Sequence, residues 1–292
     1  MPKETFHLLS FDVEEYFQIE AASTRITPAD WPTWKKRLSP CIDRILELLD
    51  RYKASATFFV LGWIARHEPD LIRRIIAAGH EIASHGMTHR MINRMTPQEF
   101  RAELTESRKI LEDLSGQSIR GFRAPTFSIT RQSAWALDIL AETGFSYDSS
   151  IFPIRHDRYG IPDAPRFAYL ASGPGGGTIL EIPPLTFRAL GINWPVGGGG
   201  YLRLLPARAA VLGLKQARRQ GHVAMLYLHP WELDADQPTL PLSGLAQWRH
   251  RVGLKHTGKK LDFLLKRFKF TSVQSVLPRL SEGRTKFRIN EG

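Results

Sequence analysis

The sequence predicts an α/β protein with a parallel sheet of the barrel type. Strand-like and helix-like runs alternate through the first two-thirds of the 292 residues, and this alternation is typical of parallel strands joined by helices. In addition, polar side chains suited to catalysis or metal binding directly follow several of the strands, as active-site residues do in α/β barrels. A chain of this length often forms one barrel domain.

The individual elements follow in order along the chain. Strands are predicted at residues 6–11, 56–60, 81–83, 121–122, 179–182 and 223–228. Helices are predicted after the cap Ser39-Pro40, from Pro69 to Gly79, from the capping box Thr96–Glu99 to about Leu114, and over 131–143 and 206–219. A flexible turn is predicted at Gly173–Gly177, and Gly197–Gly200 predicts either a close backbone approach to a ligand or a mobile linker.

Charge is unevenly distributed. The net charge is +11, and residues 249–288 hold twelve Lys or Arg and only two acidic residues. Such a segment fits an anionic partner or a solvated charged face. Because leucines are interleaved with the basic residues, we expect helix packing and no nucleic-acid partner. Peripheral contact of residues 249–288 with an anionic membrane is the preferred alternative.

Composition also bears on location. Cys41 is the only cysteine, which excludes an intrachain disulfide. No apolar run reaches the ~20 residues of a membrane span, and the first ten residues are too polar to predict a secretory signal. These observations favour the cytoplasm.

The pair His85 and His89 is the most informative motif. It follows a predicted strand, and neutral imidazole is the commonest protein ligand of transition metals. A His-x3-His pair supplies two of the three protein ligands of a typical catalytic zinc. By itself the pair also fits two ordinary polar histidines in a loop.

Further polar residues follow other strands. Because a strand alternates faces, Asp12 and Glu14 can point the same way while Val13 turns into the packing. The C-terminal ends of parallel strands meet at one face of a barrel. The remaining residues at such positions are Arg123, Asp148 and His229.

Five short elements in order resemble the polysaccharide deacetylases, the NodB-homology group called carbohydrate esterase family 4. Surrounding runs, including 198–206 and the tail 249–273, resemble the branch associated with exosortase (PEP-CTERM) and exopolysaccharide genes. The resemblance implies a distorted (β/α) barrel of seven strands at residues 1–235 and a basic helical extension at 236–292 packed on the same domain. The five elements are residues 10–14, 84–89, 123–126, 147–150 and 228–232.

The same resemblance implies a divalent metal, most often zinc, held by one acidic residue and two histidines, here His85 and His89. Most members have two adjacent aspartates in the first motif, the first a base and the second a ligand. In this chain Glu14 comes one residue later, so we assign Glu14 to the metal and Asp12 to the base, with Glu15 as the alternative ligand. Co²⁺ or Ni²⁺ could replace zinc at such a site.

Other roles are also implied by resemblance. Arg123 corresponds to the arginine that pairs with the base, His229 to the general acid, and Asp148 to the carboxylate that orients His229. The backbone N–H of Thr126 corresponds to the oxyanion donor. Leu226 and Leu228 are expected to wall an acetyl pocket, Trp231 to stack on a sugar, and Tyr201 to contact substrate.

The implied function is metal-dependent removal of N-acetyl groups from N-acetylhexosamine units of a polysaccharide or lipid-linked glycan precursor, in exopolysaccharide or cell-envelope biosynthesis. Two alternatives stay open. One is hydrolysis of another C–N bond in a small molecule, as in the metal-free allantoinase-like relatives of this fold, because the first motif is altered. The other is a glycan-binding protein with a decayed site.

Overall fold

The computed structural model describes residues 6–289. The strands are β1 (Phe6–Val13), β2 (Thr57–Val60), β3 (Glu81–Ser84), β4 (Gly121–Phe122), β5 (Tyr147–Asp148), β6 (Tyr169–Ser172), β7 (Thr178–Glu181), β8 (Thr186–Ala189), β9 (Ile192–Pro195), β10 (Met225–Leu228), β11 (Lys269–Thr271) and β12 (Lys286–Arg288). The α-helices are α1 (Leu38–Arg51), α2 (Gly62–His67), α3 (Pro69–Ala77), α4 (Pro97–Ser115), α5 (Trp135–Glu142), α6 (Gly199–Leu204), α7 (Ala207–Arg219), α8 (Gly244–Arg251), α9 (Leu254–Leu265) and α10 (Leu277–Ser281).

Seven parallel strands form a distorted barrel. The order is β10, β1, β2, β3, β4, β5 and β7, and every neighbouring pair in this series is parallel. Beyond β7 the chain returns to β10, where two isolated bridges, Pro184 with Met225 and Gly198 with Tyr227, take the place of a full ladder. The predicted α/β fold with a mostly parallel sheet is confirmed. The barrel is distorted because strand pairing is incomplete near Pro184.

Alternation along β1 determines which side chains reach the barrel interior. Leu9 and Phe11 belong to the large core between sheet and helices. Leu8 packs inside the barrel with Phe59 and Met225. Because alternate residues of a strand share a face, Asp12 lies on the same inner face as Leu8, at the carboxyl end of the strand.

Two predicted helix starts have different outcomes. The capping box of α4 is confirmed, since the Thr96 side chain accepts from the Glu99 N–H at 3.2 Å and the Glu99 carboxylate accepts from the Thr96 N–H at 2.8 Å. The cap predicted at Ser39 is wrong, because α1 begins at Leu38. A distant carboxylate replaces it: Glu15 Oε1 accepts from the N–H groups of Arg37 at 2.7 Å and Leu38 at 3.2 Å.

The part of the chain after residue 236 contains helices α8 to α10 and two strands that the sequence interpretation did not include. β11 pairs with the first half of β1, and β12 pairs with β6. Leu261 and Leu264 of α9 are fully buried, so this helix turns its apolar side toward the protein. Among residues 6–289, no helix has the length and apolarity to cross a lipid bilayer. The boundary at 235 stays a prediction.

The glycine run before α6 serves the barrel itself. Gly198 has φ of 146°, and a Cβ there would lie 1.6 Å from the carbonyl oxygen of Tyr227. The Tyr227 N–H donates to the carbonyl of Gly197 at 2.8 Å. Gly197 and Gly198 therefore make a close backbone approach to β10, while Gly199 and Gly200 line the cavity described below.

Candidate active site

A cavity of about 1010 Å³ opens at the carboxyl ends of the barrel strands. Its lining mixes titratable groups with aromatic rings. The residues at or just after the carboxyl ends of strands that line it are Asp12, Glu14, His85, His89, Tyr227 and His229. The structure thus brings together residues that lie more than 200 positions apart in the sequence.

Glu14, His85 and His89 form a compact ligand cluster. Their ligand atoms lie within 4.8 Å of one another, and all three residues are buried. Glu14 Oε2 lies 2.6 Å from Nε2 of His89. The Nδ1–H of His85 donates to the carbonyl of Arg123 at 2.8 Å, which orients the ring and leaves Nε2 as the unprotonated nitrogen. Burial lowers the pKa of His85 to about 4, so this ring is neutral.

The carboxylate of Glu14 is held as an anion. Burial raises its pKa, but the charges of His89 and His229 outweigh burial and bring the pKa well below the usual range. The indole N–H of Trp231 donates to Glu14 Oε1 at 3.0 Å. Two imidazole nitrogens and one carboxylate oxygen are a donor set that suits zinc and neighbouring divalent metals, so the residues present fit such an ion.

Glu15 does not join this cluster. Its carboxylate is bound to the start of α1, and burial raises its pKa to about 7. Adjacent residues at the end of a strand point in different directions, which separates Glu15 from Glu14. The choice between the two ligands made from the sequence is supported by this placement.

Asp12 is bound firmly through one oxygen. Its Oδ1 accepts from Nη1 of Arg123 at 2.6 Å. Arg123 is fully buried, also donates to Ser10 Oγ at 2.9 Å and Ser149 Oγ at 2.8 Å, and stacks 4.1 Å above the ring of Phe59. The predicted pairing of Arg123 with Asp12 is present, and it leaves Oδ2 of Asp12 facing the cavity.

His229 stands between the carboxylates. Its Nε2 lies 3.8 Å from Asp12 Oδ2 and 3.8 Å from Glu14 Oε1, and its side chain is 19% exposed. Burial lowers its pKa, but Glu232, Glu14 and Asp12 together raise that pKa to about 9. The ring is therefore protonated at neutral pH and carries a proton at Nε2 toward the cavity.

The carboxylate that orients His229 is Glu232, and the assignment of this contact to Asp148 is wrong. Glu232 Oε2 lies 3.3 Å from Nδ1 of His229 and accepts from its backbone N–H at 2.9 Å. Residues three positions apart in one short turn can meet in this way, whereas Asp148 ends β5. Asp148 instead accepts from Ser150 Oγ at 2.5 Å.

Asp148 and Glu181 are buried carboxyls that influence each other's pKa. Burial raises its pKa to about 6, and burial together with the charge of Asp148 raises the pKa of Glu181 well above the usual range. Ser150, which bonds Asp148, also accepts from the backbone N–H of Ala124 at 2.7 Å, so Asp148 supports the backbone beside Arg123.

Arg203 is a functional candidate that the sequence interpretation missed. Its Nε donates to Glu232 Oε1 at 2.6 Å. Its Nη1 donates to the carbonyls of His250 at 2.6 Å and Arg249 at 2.9 Å. A series of polar contacts therefore runs from the C-terminal helices through Arg203 and Glu232 to His229. Arg203 is the only arginine in the run 198–206, but no local sequence signal indicates that it contacts Glu232.

Of the residues predicted to contact substrate, some line the cavity and others do not. Thr126 lines the cavity with φ of 58°, a left-handed conformation that L residues rarely adopt outside special sites. Tyr201 lines the cavity, with its hydroxyl 3.2 Å from that of Tyr159. Leu226 and Leu228 are fully buried among the outer core residues, and their expected role as pocket walls is wrong.

The reason lies in strand alternation. Tyr227 of β10 faces the cavity, so its neighbours Leu226 and Leu228 must face the helices. Trp231 lines the cavity but is only 4% exposed and stacks on His229 and His250. The prediction that Trp231 stacks on a sugar is therefore wrong. Its indole N–H instead donates to Glu14. Trp248, which lines the cavity and is 55% exposed, offers the open ring that Trp231 does not.

Comparison with known sequences divides the chain near residue 148. The sequence model of the family described as polysaccharide deacetylase matches residues 30–147. A second model, described as a domain of unknown function (DUF3473), matches residues 149–278. The ligand histidines lie in the first segment, and His229, Glu232 and Arg203 lie in the second.

Individual relatives agree with the first match. A chitooligosaccharide deacetylase of Bradyrhizobium sp. (strain ANU 289) is 35% identical over 102 residues, which are 35% of this chain and 44% of the relative. Another, of Sinorhizobium fredii (strain NBRC 101917 / NGR234), is 34% identical over 141 residues, or 47% of this chain and 62% of the relative. The chain thus spans less than two-thirds of either relative.

One solved structure shares the fold across nearly the whole chain. It is a protein from Mycobacterium smegmatis, described provisionally as a polysaccharide deacetylase. It superposes with a TM-score of 0.63, 21% identity, and coverage of 98% of this chain and 94% of that one. The fold similarity extends over both matched segments.

Proposed function

This chain contains a polysaccharide deacetylase domain of the NodB type, and from that premise we propose that it hydrolyses the N-acetyl group of N-acetylhexosamine units in a glycan. One observation carries the proposal. The cluster of Glu14, His85 and His89 lies beside Asp12 and His229, with His229 Nε2 3.8 Å from both carboxylates. Such a site has a place for a metal, a base and an acid around one reacting group.

Glu14, His85 and His89 are the residues that would hold a divalent metal, with zinc the preferred ion and Co²⁺ or Ni²⁺ as substitutes. Such an ion polarises a carbonyl and lowers the pKa of bound water to about 7. Trp231 and the Arg123 carbonyl orient Glu14 and His85 for this role.

Asp12 acts as the general base. The Arg123 guanidinium holds Oδ1 at 2.6 Å, so Oδ2 is the oxygen that receives the proton of the attacking water. The same ion pair fixes the carboxylate in one orientation, because Arg123 is itself bonded to Ser10 and Ser149. A base must be within reach of the proton that it removes, and the 3.8 Å separation of Oδ2 from Nε2 of His229 supports this assignment.

His229 acts as the general acid. As water oxygen attacks the acetamide carbon, the C–N bond breaks and the Nε2 proton of His229 passes to the leaving nitrogen, which gives acetate and a free amine. Glu232 stabilises the imidazolium and fixes the ring through Nδ1. The backbone N–H of Thr126 is the candidate donor to the oxyanion, and Tyr201 and Trp248 are candidates for sugar contact.

The biological setting follows from the same proposal. We assign the activity to exopolysaccharide or cell-envelope biosynthesis, in line with the resemblance to the exosortase-associated branch, and we place the protein in the cytoplasm. Peripheral contact of residues 249–288 with an anionic membrane stays a prediction from charge alone. Because Leu261 and Leu264 are buried, that segment has no apolar insertion from these leucines to add to its charge.

Acetate release from N-acetylglucosamine oligomers tests the proposal. Chelator-treated protein should lose activity, and zinc added back should restore it, while Asp12→Asn protein should bind the metal without releasing acetate. The loss for Asp12→Asn should be about 10²–10⁴-fold in kcat. Full activity without bound metal would instead favour the allantoinase-like alternative. Oligosaccharide binding without acetate release by the metal-loaded protein would favour a decayed glycan-binding site.

A further inference from the structure

One surface next to the active site combines exposed apolar side chains with unopposed basic charge. Among the described residues 6–289, eight large apolar side chains are strongly exposed, and six of them lie between residues 190 and 212. The six are Leu190, Ile192, Trp194, Leu204, Leu205 and Leu212. Scattered exposed apolar residues are ordinary, but a concentration in one segment marks a binding surface.

The β8–β9 hairpin presents the most exposed of these residues. Ala189 pairs with Ile192, so Leu190 and Gly191 form a two-residue turn with φ of 51° and 76°. Turns of this kind favour Asn-Gly, yet a leucine that is 96% exposed occupies the strained position. Ile192 and Trp194 are alternate residues of β9 and project from the same face. Because Leu190 is almost fully exposed, it buries little apolar surface within this chain.

Basic residues flank the hairpin. The side chain of Gln216 on α7 accepts from the Arg188 N–H at 2.9 Å and donates to its carbonyl at 2.9 Å, which ties α7 to β8. The outer side of α7 carries Arg208, Leu212, Lys215 and Arg219, all exposed. Between Glu181 and Glu232 the sequence has six basic residues and no acidic residue.

We propose that this hairpin face, comprising Leu190, Ile192, Trp194, Leu212, Arg208, Lys215 and Arg219, docks on an anionic lipid bilayer. An exposed apolar tip with tryptophan beside it, flanked by Arg and Lys, is the pattern of surfaces that lie in a membrane interface. A second copy of this chain would bring the same positive charge, and protein interfaces are generally poor in Lys. Phospholipid headgroups supply the negative charge that the segment lacks.

The segment that carries the exposed apolar residues also reaches the catalytic cavity. Leu204, at the end of α6, is 49% exposed and lines that cavity. The proposal goes beyond the deacetylase function and does not depend on it, because vesicle binding is measured without substrate.

Co-sedimentation with vesicles tests the proposal. The full chain should bind phosphatidylcholine vesicles that contain phosphatidylglycerol, bind vesicles of phosphatidylcholine alone much less, and lose binding at high salt. Two triple variants should each bind these vesicles at least about tenfold more weakly than the wild type. They are Leu190→Ser/Ile192→Ser/Trp194→Ser and Arg208→Gln/Lys215→Gln/Arg219→Gln. The matched control Lys255→Gln/Lys259→Gln/Lys266→Gln removes three exposed charges from the C-terminal segment and should change binding less than about twofold.

A second variant separates docking from folding. Leu190→Asn suits the strained turn better, so it should raise the thermal midpoint while weakening vesicle binding. The proposal is overturned if the wild-type chain ignores anionic vesicles, or if only the C-terminal control loses binding. It is also overturned if the hairpin triple variant merely converts a dimer to a monomer and leaves vesicle binding unchanged.

Discussion

The two sides of the active site are built by different means. On the ligand side, Glu14, His85 and Arg123 come from the ends of three strands and meet because the sheet holds those strands in register. On the acid side, His229 and Glu232 come from one short turn. The ligand side depends on the whole barrel, whereas the acid side depends on a local turn and the region behind it.

This difference coincides with the division of the chain seen in the sequence comparisons. The acid side lies in the segment matched as a domain of unknown function, residues 149–278. There Arg203 and the carbonyls of His250 and Arg249 hold Glu232 in place. The contact of Glu232 with His229 is therefore supported from within the second matched segment.

The largest effect is expected on the ligand side. Glu14→Gln should lower kcat/KM about 10³-fold and release the metal, because a charged ligand is lost from a three-residue set. Elemental analysis of the purified protein with acetate-release kinetics checks this.

The matched control is the neighbouring carboxylate. Glu15→Gln should retain the metal and lower the free energy of unfolding by about 1 kcal/mol, because it weakens the cap of α1. Metal loss in Glu15→Gln with a full complement in Glu14→Gln would reverse the assignment of the ligand.

Removal of the acid should have the next largest effect. His229→Gln should lower kcat about 10²–10⁴-fold with little change in KM, because the leaving nitrogen then lacks a proton donor. A substrate with a better leaving group than a sugar amine, such as an aryl acetamide, should recover part of the loss. Equal losses on both substrates would argue against proton donation by His229.

The partner of His229 can be identified by a pair of conservative variants. Glu232→Gln should lower kcat by about 10–100-fold while Glu232→Asp restores part of it, since a positioned carboxylate supports the imidazolium. Asp148→Asn should affect the thermal midpoint more than kcat, because Asp148 bonds Ser150 and lies away from the turn. If Asp148→Asn proved the more damaging to kcat, the two sides would share their orienting carboxylate after all.

The smallest effect concerns a histidine at the opposite end of β1. Burial, with a contribution from the charge of Arg218, lowers the pKa of His7 to about 4. The unfolded chain therefore binds a proton between about pH 6.5 and 4 that the folded chain does not, and stability falls as the pH decreases through that window.

Replacement by a neutral side chain removes this dependence. In His7→Gln, the loss of unfolding free energy between pH 7 and pH 5 should be smaller by about 2 kcal/mol than in the wild type. Denaturant titrations at the two pH values measure it. His256→Gln changes an exposed histidine and serves as the control. An equal effect of both variants would contradict the assignment.

Much of the fold was predictable from local patterns. The strand at residues 6–13, the capping box of α4 and the helix at 207–219 follow from apolar periodicity and end signals that act within a few residues. The cap of α1 was not predictable in this way, since it comes from Glu15, 23 residues before Leu38. Long-range caps leave no local signal.

By itself, the sequence determined the alternation of strands and helices in the first two-thirds of the chain. It also indicated that Asp12 and Glu14 share one face of β1 and that His85 and His89 follow a strand end. Only the tertiary structure decided the contacts between distant segments: Glu232 in place of Asp148 at His229, and Arg203 behind Glu232. It also decided that Tyr227 rather than its leucine neighbours faces the cavity. A strand pattern specifies two faces but not which one is inside, and only the closed barrel makes that distinction.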